Sequence, residues 1–272
     1  MPVDAELRNL DIDVPAKPEA LVRMSLMLAD ESINVEAVGR LVESDMALAA
    51  AVMKAVNSSL YGLKGRVSSV HQAVTYLGTR EVAAITFEMG LRAAFASAPE
   101  LEPIWTRASL RGLIMGRLGE ALGLDAWAAH SAGLFEECGK AVLFRHASDH
   151  YPSMLRAATS DTELRELERI GFGVCHDVLG AALCDSWGLG AVAVASVRHH
   201  IEAQAGQAID GPTPRRQVLV LSVLAHGMMH QPDQLDALAE ALAPVAELDA
   251  DAVLRAVRKL QATPEQNAEH GR

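Results

Sequence analysis

Apolar residues recur at three- and four-residue intervals along most of the chain, the spacing that lays a stripe down one side of an α-helix. After Pro18, the residues Leu21, Met24, Leu26, Met27 and Leu28 fall close to that spacing, so a first helix begins there. Asn34 is placed to cap VEAVGRLVE, and DMALAAAVMKAV behind it is so nearly all apolar that it must be buried. The run NSSLYGLKGRVSSVHQAVTYLG interrupts the period with Asn57, Ser58, Ser59, Gly62 and Gly65; Ser68 or Ser69 restarts it and Gly78 ends it. Thr79 is positioned to cap REVAAITFEMGLRAAF, which stops at Pro99, and APELEP at 98–103 marks a break in topology.

Beyond Pro103 the pattern predicts helices over IWTRASLRGLIMGRLGEAL and over DAWAAHSAGLFEECGKAVLFRH, the second continuing across Gly139. SDTE, Ser160 to Glu163, fits a capping box that starts LRELERI. GFGVCHDVLGAALCDSWGLG reads as a helix closed by Gly188, AVAVASVRHHIEA as the next, and three more follow before a polar tail from about Pro264. Ala and Leu dominate and only 4% of residues are aromatic, so the expected class is all-α.

With 272 residues, half of them apolar, the chain can bury a sizeable core. Its formal charge of −11 argues against a general nucleic-acid-binding role. The charge is uneven: residues 1 to 53 carry ten acids against four bases, whereas Lys54, Lys64, Arg66, Arg80 and Arg92 face only Glu81 and Glu88 over the next stretch, a candidate interaction patch beside the reading of ordinary solvated charge. The acidic start lacks the layout of an export signal and no apolar run is long enough for a bilayer, so a cytoplasmic protein without membrane contact is expected. Cys138, Cys175 and Cys184 are odd in number and are expected to be reduced, buried thiols.

The chemistry concentrates in HSAGLFEECGK, where Glu136 and Glu137 stand side by side in an apolar run. AGLFEECGK resembles the segment AGLLHDIGK of the HD superfamily of metal-dependent phosphohydrolases, whose adjacent His and Asp bind the metal. VESDMALAAAVMKAVNSSLYG, VSSVHQAVTYLG, and HDVLGAALCDSWGL followed by HH resemble one branch more closely, the HDOD domain (HD-related output domain). The similarity covers about residues 14 to 260. It implies a two-lobed helical HDOD fold, with a tail over 1–13, a lobe at 14–100, an HD-like lobe at 101–260 and a disordered tail over 261–272.

A metal-dependent hydrolase needs several imidazoles and carboxylates around its ions. Against that requirement the resemblance finds a degenerate set: Ala108 stands where an upstream histidine is expected, Glu136 and Glu137 replace the His-Asp pair, and His226 replaces a late aspartate, leaving His176 and the pair His199, His200. Neighbours on a helix point about 100° apart, so one residue of each adjacent pair at most is expected to face inward. Convergence of Glu136, His176, one of His199 or His200, and His226 would still suit zinc or iron. The simpler readings are a hydrogen-bonded core histidine at 176, helix-end histidines at 199 and 200, and a glutamate cluster paired with Lys140, Arg145 or a histidine, with Lys140 otherwise reaching to solvent.

No catalytic residue, metal or cofactor is therefore assigned. The resemblance implies a non-catalytic bacterial regulatory module that binds signalling proteins of the receiver, GGDEF/EAL or kinase type, in two-component or cyclic-di-GMP-linked control. The alternatives are a divergent metal-dependent phosphohydrolase or cyclic-dinucleotide phosphodiesterase, and a nucleotide or nucleic-acid binding module using the Lys54 to Arg92 region.

Overall fold

The computed structural model describes residues 12–28, 35–58 and 65–262. The Asn34 cap, Ser59, Gly62, Lys64 and most of both expected tails lie outside the described residues. Among those described, every regular element is helical, so the all-α expectation holds. No helix in them is long and apolar enough to cross a membrane.

The chain divides into two compact units, one of residues 16–97 and one in which residues up to Pro15 join 98–261. The smaller contains α1 (Glu19–Leu28), α2 (Val35–Glu43), α3 (Met46–Val56), α4 (Val70–Leu77) and α5 (Thr79–Ala93). Leu21, Met24, Val38, Val42, Val52, Val56, Val82 and Ile85 form its buried interior. Asp45 caps α3 by accepting from the amides of Ala47 and Leu48, and Ser69 caps α4 by accepting from Gln72. Thr79 does not cap α5: it is already helical, and the cap position is Gly78 at φ +85°, a conformation open to glycine. Asn57 pins the ends of the following loop, its amide donating to the carbonyls of Met53 and Val67 while its oxygen accepts from Gly65.

The larger unit contains α6 (Glu102–Ala121), α7 (Ala126–Phe135), α8 (Cys138–His146), α9 (Tyr151–Ala157), α10 (Asp161–Phe172), α11 (His176–Ser186), α12 (Ala191–Gln204), α13 (Thr213–His230), α14 (Leu235–Leu242) and α15 (Ala250–Gln261). Residues before Ala16 belong to it because the Trp187 indole donates to the carbonyl of Pro15 at 2.8 Å. Small residues set its helix spacing. On α6, Gly112 and Gly119 lie so near α7 that an added Cβ would meet backbone atoms at 3.2 and 3.1 Å.

Two sequence expectations need correction here. The helix predicted across Gly139 is two helices, with Glu136 and Glu137 at the corner between them. The run beginning GFG is also divided: Gly173, at φ +72°, closes α10 in the left-handed conformation, and α11 starts only at His176. The SDTE cap forms with a variation. Ser160 accepts from the Glu163 amide, but the Glu163 carboxylate reaches back to the amide and hydroxyl of Thr159, one residue before the cap. Cys138, Cys175 and Cys184 are free and buried.

The approach of α8 to α11 rests on Gly139. A Cβ there would lie 1.9 Å from the carbonyl oxygen of His176 and 2.7 Å from the amide nitrogen of Gly180, both backbone atoms without a rotamer to move. Gly139→Ala is expected to cost more than about 3 kcal/mol, at the severe end of overpacking. Gly190→Ala, with nothing within 4 Å, is expected to change stability by less than about 0.5 kcal/mol. Urea unfolding of both variants measures the contrast; equal costs would remove the packing argument.

Candidate functional site

The candidate site lies where α6, the α7–α8 corner and the start of α10 meet. Arg107 and Arg111 are one turn apart on α6, and both reach Glu137. The Arg107 guanidinium donates to its carboxylate through Nη2 at 2.6 Å and Nε at 3.1 Å, and Arg111 adds a bond at 3.2 Å. Lys140, one turn into α8, stands between two acids, 2.7 Å from Asp161 and 3.4 Å from Glu137. Arg111 also lies 3.3 Å from Glu136. The result is a chain of alternating charge, Arg107–Glu137–Lys140–Asp161, with Arg111 shared between the two glutamates.

Both glutamates are buried, at 0% and 1% exposure, against the expectation that only one could face inward. Both are buried because the α7–α8 corner is enclosed on more than one side: Glu136 meets Gln204 of α12, whereas Glu137 meets Arg107 of α6 and Lys140 of α8. Lys140 does not reach solvent either; its ammonium is buried by the two carboxylates. Arg145 pairs instead with Asp13.

The adjacent carboxyls titrate in opposite directions. Burial pushes Glu137 up, but the charges of Lys140, Arg111 and Arg107 outweigh it and hold the group at about 2. Glu136 is pushed up to about 7, because burial outweighs its share of Arg111 and its hydrogen bond from Gln204; its Oε1 is buried without a partner. Asp161 falls below the usual carboxylate range since Lys140 overcomes its desolvation.

The histidines fall into separate places. His176 and His200 are fully buried with ring centroids 5.8 Å apart. His199 points away, half-exposed, and meets Glu202 at 3.2 Å. The His226 ring lies tilted against His230 with centroids 4.6 Å apart, and burial followed by the nearby Arg111 charge lowers it to about 4. His226 and His230 line a cleft of about 480 Å³ with Arg107, Arg111, Lys140 and Asp161. The set that would have suited a metal had it converged, Glu136, His176, one of His199 or His200, and His226, is not the group the structure brings together. Among the described residues, the metal-capable group with ligand atoms within 4.8 Å of one another is Asp161, His176 and His200.

Glu137 does not fit a metal. Both its oxygens already accept from guanidinium groups, and a dication beside it would face three fixed positive charges. Of the basic patch in the smaller unit, Lys54, Arg66 and Arg80 are exposed, while Arg92 is half-buried 4.0 Å from Glu88.

Sequence reasoning missed Arg107, Arg111, Asp161 and Glu168. Arg111 was signalled by pattern, since it occupies the apolar stripe of Ile104, Ala108, Met115 and Leu118, where a charge demands a buried partner. Asp161 was hidden inside the capping box, where an acid is ordinary.

The HDOD domain profile matches residues 14–203. An uncharacterized protein of Treponema pallidum (strain Nichols) is 28% identical over 196 residues, 69% of this chain but 37% of the relative, so the chain spans little more than a third of that protein. A provisionally named signal transduction protein from Marinobacter aquaeolei VT8 superposes with a TM-score of 0.71 at 22% identity, over 96% of this chain and 60% of its own. A provisionally named phosphohydrolase from Shewanella amazonensis SB2B superposes with a TM-score of 0.68 at 18% identity, over 93% and 94%. At these identities the two structures establish a shared fold.

The two glutamates give predictions of opposite sign. Glu137 is depressed, so its stabilisation is present above the ordinary 4.5 and is lost as pH falls through about 2. Glu137→Gln is expected to cost about 3–5 kcal/mol at pH 7, because it strands buried cations, and progressively less in acid. Glu136 is raised, so the wild type loses stability as pH rises through about 7, and Glu136→Gln should gain about 3 kcal/mol on it between pH 4.5 and 8. Denaturant midpoints from about pH 2 to 8 decide it, the Glu137→Gln cost changing below 4.5 and the Glu136→Gln gain above it; variants that shift in the same direction would contradict the assignment.

Proposed function

The chain belongs to the HDOD domain family, and from that premise we propose that it is a non-catalytic signal-transduction module that works by binding partner proteins. The observation that carries this is the occupation of Glu137 by Arg107, Arg111 and Lys140. At the position where a catalytic relative presents a metal-ligating pair, this chain supplies its own cations. Arg111 is 1% exposed, so its positive charge is a built part of the interior and not a surface group that swings aside.

Without an ion at that position, two catalytic contributions are lost. An ion held by the glutamate pair would polarise a phosphoryl oxygen and lower the pKa of a bound water toward neutrality. The internal pairs hold α6, α8 and α10 in fixed relation. A rigid helical body with a polar cleft then suits recognition better than turnover. The signal-transduction name of the Marinobacter structure agrees with this reading, while the phosphohydrolase name of the Shewanella structure agrees with the enzymatic alternative. Partners of receiver, GGDEF/EAL or kinase type, and a connection to cyclic di-GMP, belong to the proposal.

The test is a pair of measurements on the purified chain. Supplied with Mn²⁺, Fe²⁺ or Mg²⁺, it is expected to hydrolyse neither bis(p-nitrophenyl) phosphate nor cyclic di-GMP above the uncatalysed rate, and to form a saturable complex with at least one signalling protein of those classes from its own cell. Turnover approaching about 1 s⁻¹, at the low end for enzymes, that disappears in His176→Ala would overturn the proposal.

A further inference from the structure

His176 and His200 each carry a buried nitrogen that the chain leaves unsatisfied. The His176 ring is fixed through Nδ1, 2.7 Å from Glu168 Oε2, which also accepts the His176 amide at 2.8 Å. The other Glu168 oxygen accepts from the Tyr151 hydroxyl at 2.5 Å. A carboxylate receiving three donors is an acceptor only, so Nδ1 carries a proton and Nε2 is the ring nitrogen left for another partner. His200 repeats the arrangement: its Nδ1 lies 2.7 Å from the carbonyl of Val197, which can only accept. Its Nε2 is likewise buried and without a partner.

A single orphaned buried acceptor costs about 1–3 kcal/mol, and two of them within one cluster call for an occupant. A carboxylate completes the cluster, since ligand atoms of Asp161, His176 and His200 all lie within 4.8 Å of one another. We propose that Asp161, His176 and His200 form a site for one divalent cation of the zinc type, separate from the glutamate pair.

The donor set is two neutral imidazoles and a carboxylate, which suits zinc with a fourth position open to water. The outer partners are also in place. Glu168, held by Tyr151, orients His176, and the Val197 carbonyl orients His200, the arrangement that fixes tautomer and aim at metal-bound histidines. Bonds of about 2.0–2.1 Å in a tetrahedron place ligand atoms about 3.3 Å apart, so the cluster contracts on binding. Asp161 provides the movement: its side chain is 27% exposed, whereas both histidines are fully buried. Lys140, 2.7 Å from Asp161, is the cation now facing that carboxylate. A metal takes over Asp161 and leaves Lys140 to Glu137, so occupancy of this site reaches the charge chain through one lysine.

The test uses the full chain, stripped with a chelator and titrated with Co²⁺ and then Zn²⁺. One equivalent of Co²⁺ is expected to bind with the visible absorption of a four-coordinate site and to be displaced by Zn²⁺. Asp161→Asn and His200→Gln should each weaken binding by at least about 100-fold, more than the loss of an outer-shell partner. His199→Gln and His226→Gln should not, which separates the site from the adjacent His226–His230 pair. Circular dichroism confirms that each variant is folded, and ring NMR of the wild type, where zinc should shift two histidines and spare His226, needs no variant at all. Absence of a stoichiometric ion, unchanged affinity in folded Asp161→Asn and His200→Gln, or loss of binding in His226→Gln would overturn the proposal.

Discussion

The larger unit depends on one carboxylate, Glu137, accepting from two guanidinium groups and lying beside an ammonium in an interior largely closed to water. Ion pairs of this kind are poor sources of net stability, because desolvation consumes most of the attraction. They are strong constraints nonetheless, since removing one member leaves a charge with no solvent to receive it. Arg107 and Arg111 from α6, Lys140 from α8 and Asp161 from α10 are therefore fixed relative to one another by a single group at the α7–α8 corner.

That constraint divides the chemistry of the site. Glu137 is committed to internal cations, and Glu136, sharing Arg111 and hydrogen-bonded by Ser222 and Gln204, is left as the carboxyl whose burial dominates. Identical side chains one residue apart are thus shifted to opposite sides of the ordinary carboxylate range. The metal-capable groups lie across Lys140, around Asp161. Close helix contact makes this compact: with only hydrogen on the α-carbon of Gly139, α8 lies directly against the backbone of α11, bringing Lys140 and His176 into one neighbourhood.

The helices were legible from apolar spacing because a stripe of Leu, Val and Ala at that period has few other ways to be buried. The corner at Glu136 was not, since the apolar spacing runs on from Leu134 and Phe135 to Val142 and Leu143 and no proline marks an end. Gly139 was visible as a residue, but its role as a contact point depends on α11, some forty positions later in the chain. His176 and His200 were readable as candidates from the family blocks they occupy. Asp161, which the fold brings close to them, was not, because its position in a capping box already explained it. Glu168 follows the same logic as Arg111: both sit on helix faces otherwise built for the core, so each had to have a partner that only the tertiary arrangement could supply.

The central claim is that the Glu137 carboxylate is already filled by the protein's own cations. Carboxyl ¹³C NMR of the glutamate-labelled chain, recorded with and without one equivalent of diamagnetic Zn²⁺, tests it directly. The account predicts that the Glu137 signal stays that of an ionised carboxylate paired with the protein's own cations and does not take the shift of a metal-bound carboxylate. A metal-bound shift of both the Glu136 and Glu137 signals would contradict it.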